Sequence, residues 1–136
     1  MRHINRSVLA VLLGLFSTVP SHAATYTATP STLASQLARM GLGDTVQLQP
    51  GSYPTIRTQT HWVPSGTSWA DAPRIVGRPG VVVRGIGLYN VRYLIFSPLT
   101  IDCGWQTREG ISISRGAASI RVQDSGVCRR CGCAVR

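Results

Sequence analysis

Gly85-Ile86-Gly87-Leu88, followed by Leu94, Phe96 and Ile101, and Gly110-Ile111-Ser112-Ile113, followed by Ile120, Val122 and Val127, decide how this 136-residue chain is read. The second set repeats the first at an offset of 25 positions for the leading pair (86 to 111, 88 to 113) and 26 for the rest (94 to 120, 96 to 122, 101 to 127), so one inserted residue separates the halves. Apolar residues two apart face one side of an extended chain, so each copy reads as short strands. A strand-built repeat of this length is expected to form one coil of a solenoid, with matched residues of successive coils stacked inside. The chain is 43% hydrophobic, and at that content five such positions recur at a given offset by chance with a probability of roughly 1.5%. A β-sandwich of similar strands is the competing architecture.

Upstream of the repeat lie Gly43-Asp44-Thr45-Val46-Gln47-Leu48-Gln49-Pro50-Gly51-Ser52-Tyr53 and Pro73-Arg74-Ile75-Val76-Gly77-Arg78-Pro79-Gly80-Val81-Val82-Val83-Arg84-Gly85. Alternating or continuous apolar strands are punctuated there by Pro-Gly turns. This text resembles the opening coils of secreted right-handed parallel β-helix proteins, a group that includes pectate-lyase-like and alginate- or chondroitin-lyase-like enzymes. The resemblance covers residues 26–127 and is more specific for fold than for activity. It implies an all-β chain, a right-handed parallel β-helix of about three to four coils capped by an N-terminal helix. It also implies an acidic polysaccharide as substrate or ligand, and calcium enters as a cofactor through this resemblance alone. Enzymes of these families carry many more coils, so the chain is expected to be the N-terminal part of a longer β-helix, inactive alone. A non-catalytic extracellular β-helix module for binding or structure is the alternative.

Three segments follow from composition. Arg2, His3 and Arg6 precede an apolar run over residues 8–16, and Ser21-His22-Ala23 offers a small-x-small cleavage site, so residues 1–23 read as a secretory signal peptide. The run is short for a membrane span, which points to a secreted or periplasmic protein with no membrane association once the signal is removed. Residues 24–127 form the β-helical part, and residues 128–136, Cys128-Arg129-Arg130-Cys131-Gly132-Cys133-Ala134-Val135-Arg136, read as an irregular tail.

All 14 basic residues are arginine; leaving out Arg2 and Arg6 sets 12 against five acids, a charge of +7. Such a surface attracts polyanions, although a coding bias toward arginine on a solvated face accounts for it equally. The charges are scattered and lack interleaved aromatics, which speaks against nucleic acid.

Thr29-Pro30 reads as an N-cap and first helical position, with Leu33, Leu37 and Met40 on one helical face and Gly41 as the stop. A polar loop spans residues 57–72 and carries His61, Trp62 and Trp69; its tryptophans either staple the loop to the body or stack on sugar rings. His61 has no partner at metal-ligand or triad spacing.

Candidate substrate-binding residues fall in two places. One is the loop Asp102-Cys103-Gly104-Trp105-Gln106-Thr107-Arg108-Glu109, with Trp105, Arg108 and Glu109; the other is Arg121, facing outward with Gln123 beside Ile95 and Ser97, with Asp124 nearby. A uronate lyase must neutralise a carboxylate and hold a base at the same place. No such cluster is visible, so no catalytic residue is assigned. Three tail cysteines invite zinc, but in an exported chain disulfides are favoured. Cys103 and Cys128 are 25 positions apart, which sets them nearly side by side on successive coils and makes them the expected disulfide.

Overall fold

The computed structural model describes residues 23–104, 109–127 and 132–135, with the backbone alone at 109, 127 and 132–135. Its strands are β1 (Thr25–Ala28), β2 (Thr45–Leu48), β3 (Gly51–Tyr53), β4 (Ile56–Arg57), β5 (Arg74–Gly77), β6 (Val81–Val83), β7 (Ile86–Tyr89), β8 (Arg92–Ser97), β9 (Thr100–Ile101), β10 (Glu109–Ser114), β11 (Ala118–Val122), β12 (Gly126–Val127) and β13 (Gly132–Val135). A helix, α1 (Leu33–Arg39), separates β1 from β2. The chain is all-β in class, and the strands pair in parallel within three sheets.

The order within the sheets is β1-β2-β5-β8-β11, β12-β9-β6-β3 and β13-β10-β7-β4. From β2 to β10 each strand therefore pairs with the strand three places later. Each successive triplet, β2–β4, β5–β7, β8–β10 and β11–β13, gives one strand to each sheet. This arrangement is compatible with a β-helix-like fold. For brevity the sheets are called A (with β1), B (with β3) and C (with β4).

The repeat read from the sequence sets the register. Ile86 pairs with Ile111 and Leu88 with Ile113 in sheet C; Leu94 pairs with Ile120 and Phe96 with Val122 in sheet A; Ile101 pairs with Val127 in sheet B. The inserted residue lies in the turn from sheet C to sheet A. Tyr89 pairs with Ser114 and Arg92 with Ala118, so two residues on one level face three on the next. Left-handed backbone at Asn90 (φ 51°) recurs at Arg115 (φ 40°), and the longer turn adds Gly116 at φ 80°, a conformation that glycine adopts without strain. Tyr93 (φ 50°) and Ser119 (φ 55°) are likewise matched.

Inward side chains from the three sheets make one core: Val46, Ile75 and Phe96 from sheet A, Tyr53, Val83 and Ile101 from sheet B, Ile56, Ile86 and Leu88 from sheet C. The phenol of buried Tyr53 lies within hydrogen-bond distance of the carbonyls of Ala28 (2.9 Å) and Gln49 (2.7 Å), which satisfies its polar end inside the core. Leu33, Leu37 and Met40 of the helical segment are buried in the same core, as the helical spacing requires.

Three expectations are corrected. The helix begins at Leu33, with Thr32 as its N-cap, rather than at Pro30. The hydroxyls of Thr29 and Thr32 bond each other, and Thr32 N–H donates to the Thr29 carbonyl at 3.1 Å, so residues 29–32 close a turn of their own. The tail is not wholly irregular: Gly132–Val135 is β13, paired in parallel with β10. Backbone pairing with a strand already in place needs no side-chain pattern of its own. Lastly, the matched residues of the fourth triplet are not all inside. Leu94 and Phe96 are 0% exposed, whereas Ile120 is half-buried and Val122 is 36% exposed. β11 ends sheet A among the described residues, so half of what encloses Phe96 is missing around Val122.

Candidate functional site: a strapped face of the first sheet

The segment between β4 and β5, residues 58–73, is a strap laid on the outer face of sheet A. At its start Thr58 N–H donates to the Gly87 carbonyl (3.0 Å), and three further backbone contacts hold it. Gly43 N–H donates to the Asp71 carbonyl (2.7 Å), Gly66 N–H to the Arg92 carbonyl (2.9 Å) and Ile95 N–H to the Pro73 carbonyl (3.0 Å). Arg92 N–H returns a bond to Ser65 Oγ (3.1 Å). At Gly66 the strap lies close against β8: a Cβ there would stand 2.9 Å from Tyr93 Cβ, and 3.0 Å from Ala72 Cα of the strap itself. Ile95 and Ala72 are buried yet lie outside the main core, as expected of an outward side chain sealed by the strap.

The Asp71 carboxylate keeps the strap's bend. It accepts from the N–H groups of Thr67 (2.9 Å) and Ser68 (2.8 Å) and from both hydroxyls. Chiefly the Thr67 hydroxyl, then the Ser68 N–H, hold its pKa below the usual aspartate value. His61 closes another turn, its Nδ1 lying 3.4 Å from Arg57 N and 3.3 Å from Thr60 Oγ1.

The two strap tryptophans divide the roles expected of them. Trp69 is a staple: its ring meets Tyr93 edge-on, with centroids 5.3 Å apart and planes at 85°. The Arg121 guanidinium carbon lies 3.7 Å from the centre of the Trp69 ring, a close cation–π stack. Trp62 stands 67% exposed. Arg121 pairs with Ile95, as the repeat requires, and Ile95 with Arg74, so an outward row Thr45, Arg74, Ile95, Arg121 crosses sheet A.

Of the other sequence candidates, Trp105, Arg108 and Cys128 lie outside the described residues. Glu109 opens β10, with its backbone opposite Gly132, and its side chain is not described. Asp124 is exposed, with left-handed backbone (φ 50°). It lines a shallow depression of about 160 Å³ with Arg78, Pro79, Thr100 and Gly126, and is not gathered with Arg121 into one cluster. Asp102 and Arg84 line a second depression, of about 230 Å³, on the outer face of sheet B with Ser52, Val82 and Gly104. Cys103 is buried at 2% exposure and held in a disulfide. The β9–β12 register is 26 residues (101 to 127), one more than the spacing of Cys103 and Cys128, so register alone does not single out Cys128 as its partner.

Sequence reasoning missed Trp69 as the partner of Arg121 and Tyr93 as the partner of Trp69. The strap's place between a sheet C strand and a sheet A strand was a usable signal, since a loop inserted there starts at the edge of sheet A's outer face.

Charge is distributed unevenly. All eight described arginines (39, 57, 74, 78, 84, 92, 115 and 121) are exposed. Three of the aspartates spend their carboxylates on backbone N–H groups: Asp44 on Ala24 (2.7 Å) and Gly41 (2.8 Å), Asp71 as above, and Asp102 on Gly104 (3.0 Å). Among the described residues, no three His, Cys, Asp or Glu side chains gather as ligands for a metal ion. No helix among them is long and apolar enough to cross a membrane. Comparison of the chain with protein-family models, curated proteins and solved structures found no match in any of the three.

Proposed function

We propose that this chain is the β-helical part of an exported protein that binds acidic polysaccharide and does not cleave it. Support for the β-helix comes from the pairing of each strand with the one three places later in three parallel sheets. Crossover connections between parallel strands are right-handed in nearly all proteins, which gives the helix its hand. The signal-like residues 1–23 support export.

The observation that carries the function is the division of charge: eight exposed arginines among the described residues, against three aspartates, Asp44, Asp71 and Asp102, whose carboxylates accept backbone N–H bonds. A surface of that kind has a net positive field to offer a polyanion. Lyase chemistry asks for a base beside the neutralising cation, and Arg121 has an indole against it instead.

The test is retention of the exported protein on polygalacturonate and alginate across a salt gradient. Binding that weakens steeply with salt, with none to neutral dextran, is expected. Equal retention on dextran, or none on either polyanion at low salt, overturns the reading. Ultraviolet absorbance of an unsaturated sugar product should stay flat with and without calcium; turnover abolished by Arg121→Ala or Asp124→Ala would make the chain an enzyme.

A further inference from the structure

We propose that Arg121, held face-on by Trp69, is a subsite for the carboxylate of a single uronate ring at the outer face of β11, beside the strap that covers β8. This rests on the polyanion reading and gives it a specific address. A guanidinium has two separable surfaces: its face stacks on an aromatic ring, while its N–H donors point outward in the plane as a fork that matches a carboxylate. In Arg121 the face is occupied at 3.7 Å by Trp69. Among the described residues, the guanidinium edge of Arg121 has no hydrogen-bond acceptor, so its fork is available.

The stack also removes the entropic cost that an exposed arginine incurs on capturing a ligand. Trp69 cannot swing away freely, because Tyr93 meets it edge-on and the strap is bonded on both sides of it, through Gly66 and Asp71. Tyr93 itself is held at φ 50°, an unfavourable conformation for a bulky residue, with Ser119 at φ 55° on the neighbouring strand. Such strain persists where surrounding contacts fix it, and here it fixes the ring that orients Trp69.

The ligand class follows from the row. Arg74 and Arg121 flank Ile95 in register, and two strand spacings put them about 10 Å apart. Ile95 between them is sealed beneath the strap, so a ligand that reaches both arginines passes over the strap. A chain of carboxylated sugars presents acids at regular intervals and can engage Arg121 first and Arg74 second; an isolated anion engages one.

The experiment measures binding of trigalacturonate and of its fully methyl-esterified form by calorimetry at low salt. Wild-type protein should bind the acid about tenfold more tightly than the ester, the scale of one charge-assisted contact. Arg121→Lys keeps the charge and loses the planar fork, and should weaken trigalacturonate about tenfold; Arg57→Lys, on sheet C, should change it less than twofold. Affinity unchanged by Arg121→Lys, or lowered equally by Arg57→Lys, overturns the subsite and leaves general polyanion binding standing. Failure of wild-type protein to bind long polygalacturonate would sink the parent reading instead. Melting temperatures report whether the variants fold, and a second readout needs no altered site. The Trp69 indole N–H resonance, assigned by its loss in Trp69→Phe, should move when trigalacturonate is added to the wild-type chain. An unmoved resonance at saturation overturns the proposal.

Discussion

The third and fourth triplets carry the same apolar pattern and have different fates. In β8, Leu94, Ile95 and Phe96 are all buried, the first and third by the core and the second under the strap. In β11, Ile120 is half-buried and Arg121 and Val122 are exposed, although each is in register with its counterpart. Pattern therefore decides which way a side chain points, and neighbouring layers decide whether pointing inward removes it from water. The hydrophobic gain belongs to the stack rather than to the strand.

The largest expected effect breaks the comparison in the third triplet. Phe96→Ala should cost about 3–5 kcal/mol, since a fully enclosed ring leaves a cavity. Val122→Ala, its register partner, should cost less than about 1 kcal/mol. Denaturant midpoints of the two variants measure the difference, and similar losses would mean that β11 is as well covered as β8. A smaller contrast concerns glycines. A Cβ at Gly77 would meet Leu99 Cδ2 at 2.8 Å and the Pro98 carbonyl closer still, whereas at Gly126 it meets nothing within 4 Å. Gly77→Ala should therefore cost about 1–3 kcal/mol by overpacking, and Gly126→Ala should stay within about 0.5 kcal/mol of wild type.

The smallest effect is local and depends on pH. The pKa of Asp71 is lowered in the folded chain, first by the Thr67 hydroxyl and then by the Ser68 N–H. Its contribution is complete above the ordinary aspartate pKa of about 3.9 and is lost as pH falls through the lower folded value. Amide exchange in the strap should accelerate in that acid window while the β8 core amides stay protected. Thr67→Val should move the onset to higher pH, and an onset unmoved by that change would remove Thr67 as the cause.

Register was legible in the sequence because parallel neighbours share one periodicity, so five apolar coincidences fixed the pairing of β7–β9 with β10–β12. Even the slip from 25 to 26 had a physical address, the glycine-containing turn at residues 115–117. The burial of Val122 was not legible, since it depends on a layer that the pattern of β11 does not encode. Nor was the stack of Trp69 on Arg121. Those residues are far apart in the chain and meet because a strap without periodicity happens to cross the right strands. The helix start was misread for a local reason: Thr29 and Thr32 satisfy each other, which makes a turn where Pro30 suggested a helix.

The strap has a consequence for how the molecule comes apart. Stacked layers that touch only their neighbours can peel from an end one at a time, each at its own small free-energy step. Here one segment is stitched at Gly43 before β2, at Arg92 and Ile95 in β8, and through Trp69 at Arg121 in β11. Peeling from the β11 side must first unseat the indole, and peeling from the β2 side must first release the Asp71 carbonyl. Parallel strands so stitched are expected to come apart together rather than one at a time.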